Sequence, residues 1–206
     1  MKNKKGLVFI GMGLLLIAAA LCLCGYNLWD AKRAEKAVGE VLQSFEIEKK
    51  EYASLDMETG EYVVPDYVLN PQMQMPTQKH GDYDYIGMLE LPACDLKLPV
   101  ISEWTYPALK IAPCRFSGTP YLGNMIIAAH SYRAHFRKIR TIPMGEIVIF
   151  TDMDGNEFRY EIIDRENVSG TDLEALQGGD WDLTLFTCTP GGSSRVAVRC
   201  EKMQQN

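Results

Sequence analysis

The feature that most constrains this chain is an uncharged apolar run near its start, residues 6–28, GLVFIGMGLLLIAAALCLCGYNL. As an α-helix with a rise of about 1.5 Å per residue, a run of this length spans roughly 34 Å, enough to cross the hydrocarbon core of a bilayer. A cleaved signal peptide has a shorter apolar core, roughly 7 to 15 residues, followed by a small-x-small site. The run therefore predicts a transmembrane signal-anchor helix.

The charges on either side of this run predict its orientation. Lys2, Lys4 and Lys5 precede it without an acid, whereas the mixed sequence DAKRAEK follows it. Because positive charge favours the cytoplasmic side, we expect residues 1–5 to form a basic cytoplasmic N-terminus. The protein would then be a single-pass cell-membrane protein with the rest of the chain extracellular. The net charge is −6 and becomes −9 without the three lysines, which argues against nucleic acid as a partner.

Residues 29–80 predict a juxtamembrane helix and a linker. Apolar residues recur at three- and four-residue steps from Ala31 to Phe45, which indicates an amphipathic helix of about four turns. Residues 46–80 are acidic and interrupted by proline, as in VVPDYVLNPQMQMPTQKHG. This segment is either a linker or a strap across the following domain, and its Met-rich part, 64–76, could then cover a groove there.

Residues 81–206 show short β-type runs separated by turns, with short helical pieces near 135–139 and 171–176. Many short strands with few helices are typical of a closed barrel or a sandwich. The predicted strands are YDYIGMLELP, CDLKLPVI, NMIIAAHS, GEIVIFT, FRYEIID, DLTLFTC and RVAVRC.

The cysteines leave two interpretations open. Two of the six lie in the apolar run, and the others are Cys94, Cys114, Cys188 and Cys200. Four cysteines allow three disulfide pairings in an exported protein. A domain of this size can also form its core without disulfides, so one functional thiol among buried neutral ones is equally compatible.

The last two strand patterns form a hairpin around the loop TPGGSS. Successive strand side chains face opposite sides of a sheet. If the alternating Leu and Val side chains point into the core, Cys188 and Arg195 lie together on the outer face, and Cys200 points inward.

This pairing favours acyl-transfer chemistry at a thiol. A thiolate that attacks a carbonyl creates an oxyanion, which a guanidinium can stabilise. His130 ends the apolar run NMIIAAH and could carry the proton. The structural alternatives are a buried inert cysteine and a core histidine. His135, which we expect in a partly exposed helix, is the reserve candidate for the base, and His80 would be a solvated linker residue.

The residues TLFTC, the downstream Arg195 and the histidine that ends IIAAH resemble the motifs of the sortases, cysteine transpeptidases of Gram-positive cell surfaces. The resemblance implies a mostly β fold, a closed eight-stranded β-barrel with short helices, as the catalytic domain 81–206. It implies Cys188 as nucleophile, His130 as general acid/base and Arg195 as the group that orients substrate and stabilises the oxyanion. By the same match, Thr187 and Thr184 are expected to bind substrate.

The implied reaction cleaves an LPxTG-like C-terminal sorting signal through a thioacyl enzyme and joins the surface protein to an amine of peptidoglycan or a pilin lysine. The loop between Cys188 and Arg195 is short, and an Asp-Pro-aromatic lid is not found, so the class expected is B- or D-like. Two alternatives are a cysteine protease that releases the acyl group to water and a non-catalytic, membrane-tethered β-barrel that binds or assembles surface proteins.

The sequence TDMDGNEF contains a fragment of a calcium loop but lacks the glutamate that closes an EF-hand. An Asp-Gly pair between two β-type runs is typical of a hairpin turn. We therefore expect a turn there, and no metal or cofactor.

Overall fold

The computed structural model describes residues 2–45 and 64–204. The described strands are β1 (Gln78–His80), β2 (Tyr83–Leu91), β3 (Leu96–Ile101), β4 (Cys114–Ser117), β5 (Met125–Ala128), β6 (Ile147–Asp152), β7 (Glu157–Ser169), β8 (Leu183–Cys188) and β9 (Ser194–Lys202). The described α-helices are α1 (Lys2–Ser44), α2 (Asp66–Leu69), α3 (Tyr106–Leu109) and α4 (Leu173–Gln177). Two 3₁₀ helices, Pro92–Cys94 and Phe136–Thr141, complete the set in this part of the chain.

The strands close into a barrel, as predicted. The order is β2-β3-β4-β5-β8-β9-β7-β6, and β6 pairs back onto β2. Strand β1 adds to the first residues of β2 and lies outside this ring of eight. The β3–β4 and β5–β8 pairs are parallel and the other pairs are antiparallel. The structure therefore confirms the predicted eight-stranded closed barrel with short helices.

Closure of the barrel depends on a close approach at Gly87. This residue pairs with Asp152 where β6 joins β2, and it follows a register shift in the β2–β3 pair. Its φ is +155°, and a Cβ there would lie 2.1 Å from the carbonyl oxygen of Thr151. Only glycine permits both the backbone conformation and the strand separation.

We predict that Gly87→Ala destabilises the fold by about 3 kcal/mol, because the added methyl group must push β6 away from β2. Chemical unfolding of the detergent-solubilised protein measures this loss. Gly81→Ala is the matched control, since Gly81 also has a positive φ, +59°, but has no atom near its Cβ position. Equal losses of stability for the two variants would show that backbone strain at a positive φ, and not the close approach of β6, is the reason that alanine at position 87 destabilises the fold.

Two layers of apolar side chains pack against the barrel wall. The interior layer includes Leu183, Leu185, Val198 and Cys200, as alternation predicts. The outer face of β8 is also covered, because Phe186 packs in a second cluster with residues of α1, α3 and α4. The face on which the sequence predicts Cys188 and Arg195 is therefore largely covered by a second hydrophobic core.

Helix α1 continues without a break from the apolar run into the juxtamembrane segment. Its first part exposes its apolar side chains, and it is the one described helix that is long and apolar enough to cross a membrane. Its last turns pack on the barrel through one buried stripe of side chains. That stripe comprises Asp30, Ala34, Val38, Val41 and Phe45.

The strap interpretation holds for residues 64–77, and the contacts of Tyr67 lie at the end of the barrel away from Cys188. Tyr67 stacks on Tyr121 at 4.9 Å between ring centroids and lies 5.2 Å from the ring of Phe158. Tyr121 and Phe158 belong to the barrel end where β8 begins, since Met125 pairs with Leu183 and Tyr160 with Lys202. Cys188 ends β8, at the opposite end of the barrel. Residues 46–63 lie outside the described residues.

His80 also differs from expectation. It ends β1, is half-buried, and its ring lies 5.9 Å from the ring of Phe45, so it is part of the packed domain. The polar sequence QKH did not predict a strand. Strand β1 is a short edge strand whose side chains are mostly exposed, so it lacks the alternating apolar residues that indicate a strand.

Candidate active site

The strand pairings bring the three predicted catalytic residues to one end of β8. Cys188 pairs directly with Arg195 across the β8–β9 hairpin. On its other side β8 runs parallel to β5, with Ala128 opposite Phe186. Continuing that register by two residues aligns His130 with Cys188, and neighbouring strands lie about 4.8 Å apart. The backbone of Cys188 is therefore flanked by Arg195 of β9 and, in the continued register, by His130 just beyond β5.

The threonine before the cysteine fixes this alignment. Thr187 is buried, and its hydroxyl donates to the carbonyl oxygen of Ala129 at 2.8 Å, directly before His130. The amide of Ala129 in turn donates to the carbonyl oxygen of Phe186 at 3.1 Å. These bonds extend the parallel alignment of the two backbones by one residue, as far as the residues directly before His130 and Cys188. Substrate binding by Thr187 stays a prediction.

The loop between Cys188 and Arg195 is tightly folded. Thr189 donates its amide to Ser194 at 3.0 Å, and the amide of Gly192 donates to Thr189 at 2.9 Å. Nη1 of Arg195 donates to the carbonyl oxygens of Gly192 and Ser194 at 3.0 and 3.1 Å. Within the described residues the Nε and Nη2 donors of Arg195 make no hydrogen bond, so the guanidinium is anchored while donors stay available.

His130 is partly buried against residues that the sequence did not connect with it. Its ring stacks on Tyr132, with 4.8 Å between centroids and 29° between planes. The Tyr132 hydroxyl donates to Oδ2 of Asp30 on α1. Burial lowers the pKa of His130 below its usual value, the Asp30 carboxylate acts in the opposite direction, and Lys110 adds to the lowering.

Cys188 differs from the other cysteines of the barrel domain. It is partly exposed, whereas Cys94, Cys114 and Cys200 are buried. Burial raises the pKa of Cys114 to about 12 and raises those of Cys94 and Cys200. All six cysteines, each within the described residues, are free thiols. Of the two interpretations, the structure therefore favours one accessible thiol among buried neutral ones.

Thr184 belongs to a buried polar network that sequence analysis did not predict. Arg199, 1% exposed, donates to the hydroxyl of Thr184 at 3.0 Å and to the carboxylate of Glu166 at 2.7 and 2.9 Å. It also donates to the carbonyl oxygens of Ala175 and Leu176 in α4. Arg199 thus fastens α4 over the outer face of β8. Alternation along β9 places Arg199 on the same face as Arg195, and this was the one sequence signal for its position. Substrate contact by Thr184 stays a prediction.

We predict that Arg199→Met lowers the free energy of unfolding by about 3 kcal/mol, since two carbonyl groups and a carboxylate lose their donor beneath α4. Chemical unfolding measures the change. Arg159→Met is the matched control, because Arg159 pairs with Glu157 at the surface, and its loss should cost less than about 0.5 kcal/mol. Similar costs for both variants would contradict a special role for Arg199.

His135, the reserve base, is not at the surface. It directly precedes the 3₁₀ helix Phe136–Thr141 and is fully buried, with its ring 5.4 Å from that of Tyr132. Burial, reinforced by His130, lowers the pKa of His135 to about 4. The expectation of a partly exposed histidine was wrong, because the preceding chain folds His135 beneath the helix.

This burial predicts a pH-dependent stability. The folded protein favours neutral His135, so its contribution is intact above the unfolded pKa of about 6.5 and is lost as the pH falls towards 4. We expect His135→Phe to remove up to about 3 kcal/mol of the stability loss between these pH values. Unfolding curves of both proteins at several pH values give the difference in their free energies of unfolding at each pH. The carboxyl titrations are common to both proteins and cancel in this difference. The same pH dependence of stability in both proteins would contradict the assigned role of His135.

The Asp-Gly segment forms a hairpin turn, as predicted. Gly155 has φ +84°, and Asp152 accepts hydrogen bonds from the amides of Asp154 and Asn156 and from Tyr121. Among the described residues, no group of three or more His, Cys, Asp or Glu side chains is arranged to hold a metal ion.

Comparisons with known proteins agree with this fold. A sortase domain model matches residues 89–203. The sortase C1 of GBS pilus island 1 is 23% identical with a TM-score of 0.52, covering 59% of this chain and 66% of that chain. Sortase C from Clostridium perfringens SM101 is 20% identical with a TM-score of 0.53, covering 85% of this chain and 90% of that chain. Sortase A from Corynebacterium diphtheriae is 22% identical with a TM-score of 0.54, covering 85% of each chain. No curated protein matches the chain.

The domain model covers more than half of the 206 residues, so the chain belongs to the sortase family. The family resemblance predicted from TLFTC, Arg195 and IIAAH is therefore confirmed. The three solved structures named above are sortases C and a sortase A, and at these identities they establish the fold alone. A B- or D-like class stays a prediction.

Proposed function

We propose that this sortase is a membrane-anchored cysteine transpeptidase in which Cys188 is the nucleophile, His130 the general acid/base and Arg195 the oxyanion-stabilising group. The observation that supports the proposal is the backbone register of β8: Cys188, the one partly exposed cysteine among the described residues of the barrel domain, pairs with Arg195, and the parallel β5–β8 pairing ends two residues before Cys188 and His130. Each group belongs to a hydrogen-bonded strand or to its end, so the three are held on rigid elements.

The chemistry follows from the roles of these groups. The Cys188 thiolate attacks the carbonyl carbon of the scissile peptide bond, and the free donors of Arg195 stabilise the resulting oxyanion. Protonated His130 gives its proton to the leaving amine as the C–N bond breaks, leaving a thioester on Cys188. An incoming amine then attacks the thioester, His130 accepts its proton, and the C–S bond breaks to release a new amide.

The substrates we propose are surface proteins with an LPxTG-like C-terminal sorting signal. The acceptor is an amine of peptidoglycan or a pilin lysine. Family membership supports this substrate class, and water is the alternative acceptor that would make the protein an endopeptidase. The loop after Cys188 consists only of residues Thr189 to Ser193 before β9 begins. A loop this short leaves the acceptor side of the thioester open.

We further propose that residues 6–28 cross the cell membrane, with residues 1–5 cytoplasmic and the catalytic domain, 81–206, extracellular. The exposed apolar surface of α1 and the lysines before it support this arrangement. The juxtamembrane region, 29–80, then includes the packed end of α1 and the strap at 64–77.

We expect the full chain in detergent micelles to form a covalent adduct with LPxTG-like peptides at Cys188, detected by intact mass and peptide mapping. Cys188→Ala should abolish the adduct, because the remaining cysteines lie buried in the barrel domain or in the apolar run. His130→Gln and Arg195→Gln should each reduce the cleavage rate by at least about 100-fold, from the loss of proton transfer and of oxyanion stabilisation. Arg133→Gln, an exposed arginine in the loop after His130, is the matched control and should retain activity.

The products separate the alternatives. A transpeptidase yields amine-capped product in preference to the free acid when an amine is supplied, whereas a protease yields the acid in both conditions. A folded protein that forms no adduct with any peptide of a broad panel, and whose Cys188 resists a methanethiosulfonate reagent, would contradict the catalytic proposal and favour the non-catalytic barrel.

A further inference from the structure

The helix that leaves the membrane reaches the candidate active site. Asp30 lies only two residues beyond the apolar run, yet it is 8% exposed and buried against the barrel domain. One oxygen of its carboxylate accepts from Arg33 at 2.9 Å, and the other accepts from the hydroxyl of Tyr132. A buried carboxylate needs such partners, so this contact is specific and not an incidental surface pair.

Tyr132 contacts both Asp30 and His130. The phenol ring stacks on the imidazole, while its hydroxyl is held by Asp30. Burial and the hydrogen bond to Asp30 both raise the pKa of Tyr132, so the phenol stays protonated and keeps donating to the carboxylate. The position of the imidazole therefore depends on a residue of α1, through one intervening ring.

The charge of Asp30 also acts on the imidazole directly. Most of the surroundings of His130 disfavour its protonated form, through burial and through the positive charge of Lys110, and the Asp30 carboxylate opposes both. A negative charge close to an imidazole in a partly buried site favours the imidazolium. Among the described residues, the ionisable groups shown to act on or lie against His130 are Asp30, Lys110, Tyr132 and His135, and Arg33 acts on Asp30 and Tyr132.

We propose that Asp30 is a positioning residue of the active site: it fixes the Tyr132 ring against which His130 stacks, and its negative charge stabilises the protonated imidazole that serves Cys188. This inference rests on the proposed function, because it assigns Asp30 a role through His130. It makes the membrane-proximal helix a part of the catalytic machinery, and not only an anchor.

The test measures the titration of His130 itself. The chain has only three histidines, so ¹³C labelling at histidine Cε1 gives three signals in the full-length protein in micelles, and His130→Gln identifies the relevant one. We expect Asp30→Asn, which preserves shape and hydrogen-bonding capacity, to lower the measured pKa of His130 by at least about 0.5 unit. Asp30→Glu should restore most of the shift.

The same variants should change the pH profile of peptide cleavage. If the imidazolium is the working form, the limb on which activity falls as His130 loses its proton moves to lower pH in Asp30→Asn. We expect a roughly tenfold loss of kcat near pH 7.5 with little change in KM. Tyr132→Phe, which keeps the ring but removes its hydroxyl, should lower kcat with a smaller displacement of the limb.

Glu35→Gln is the matched control, because it removes the same charge from the exposed side of the same helix. It should change neither the titration nor the profile. Unchanged His130 titration and unchanged cleavage in folded Asp30→Asn would overturn the inference, as would an equal effect of Glu35→Gln. If instead the unmodified protein forms no thioacyl adduct, the proposed function fails, whereas the NMR titration still decides whether Asp30 acts on His130.

Discussion

The arrangement of the whole site depends on the parallel pairing of β5 with β8. A parallel pair cannot be joined by a tight turn, so the connection runs through β6, β7 and α4 before the chain returns. This path brings together residues 58 positions apart, and the buried hydrogen bond from Thr187 to Ala129 fixes their register. The antiparallel return of β9 then adds Arg195 on the far side of Cys188. A slip of one residue in either pairing would turn one partner to the opposite face.

The second core explains how a cysteine at a strand end is held in place. Phe186, on the same face as Cys188, packs on Phe116 with 5.4 Å between ring centroids, and α4 is fastened nearby by Arg199. Cys188 thus lies at the edge of a packed layer and not on a bare sheet. Such an edge combines a rigid support with access for a substrate, which is the condition for acyl transfer at a defined geometry.

Much of the barrel could be predicted from the sequence, because alternation and turn residues are local signals. All seven predicted β-type runs are strands, and the inward and outward assignment of Leu183, Leu185 and Cys200 is correct. Strand β4 was missed because CRFS is only four residues long and has no clear alternation. Strand β1 was missed because its sequence is polar and lies among linker residues.

The tertiary contacts of the region before the barrel could not be predicted in the same way. Asp30 lies in a mixed-charge sequence that is typical of a solvated helix surface, and its burial depends on Tyr132, 102 residues further along the chain. Tyr67 likewise anchors the strap through Tyr121, whose position follows from the barrel and not from local sequence. The helical period identified the buried stripe of α1, but no pattern in one sequence indicates which surface that stripe contacts.

In the proposed membrane arrangement, the unbroken helix would also set the distance between the barrel domain and the lipid. With about 1.5 Å of rise per residue, Asp30 lies roughly 3 Å beyond the end of the apolar run, beside Tyr26 and Trp29, residue types that favour the headgroup layer. If the run spans the bilayer as proposed, the contact of Asp30 with Tyr132 would hold this side of the barrel domain next to the headgroups. A polypeptide still embedded in the same leaflet would then reach the domain by lateral diffusion, whereas a freely dissolved one would first have to approach the lipid surface.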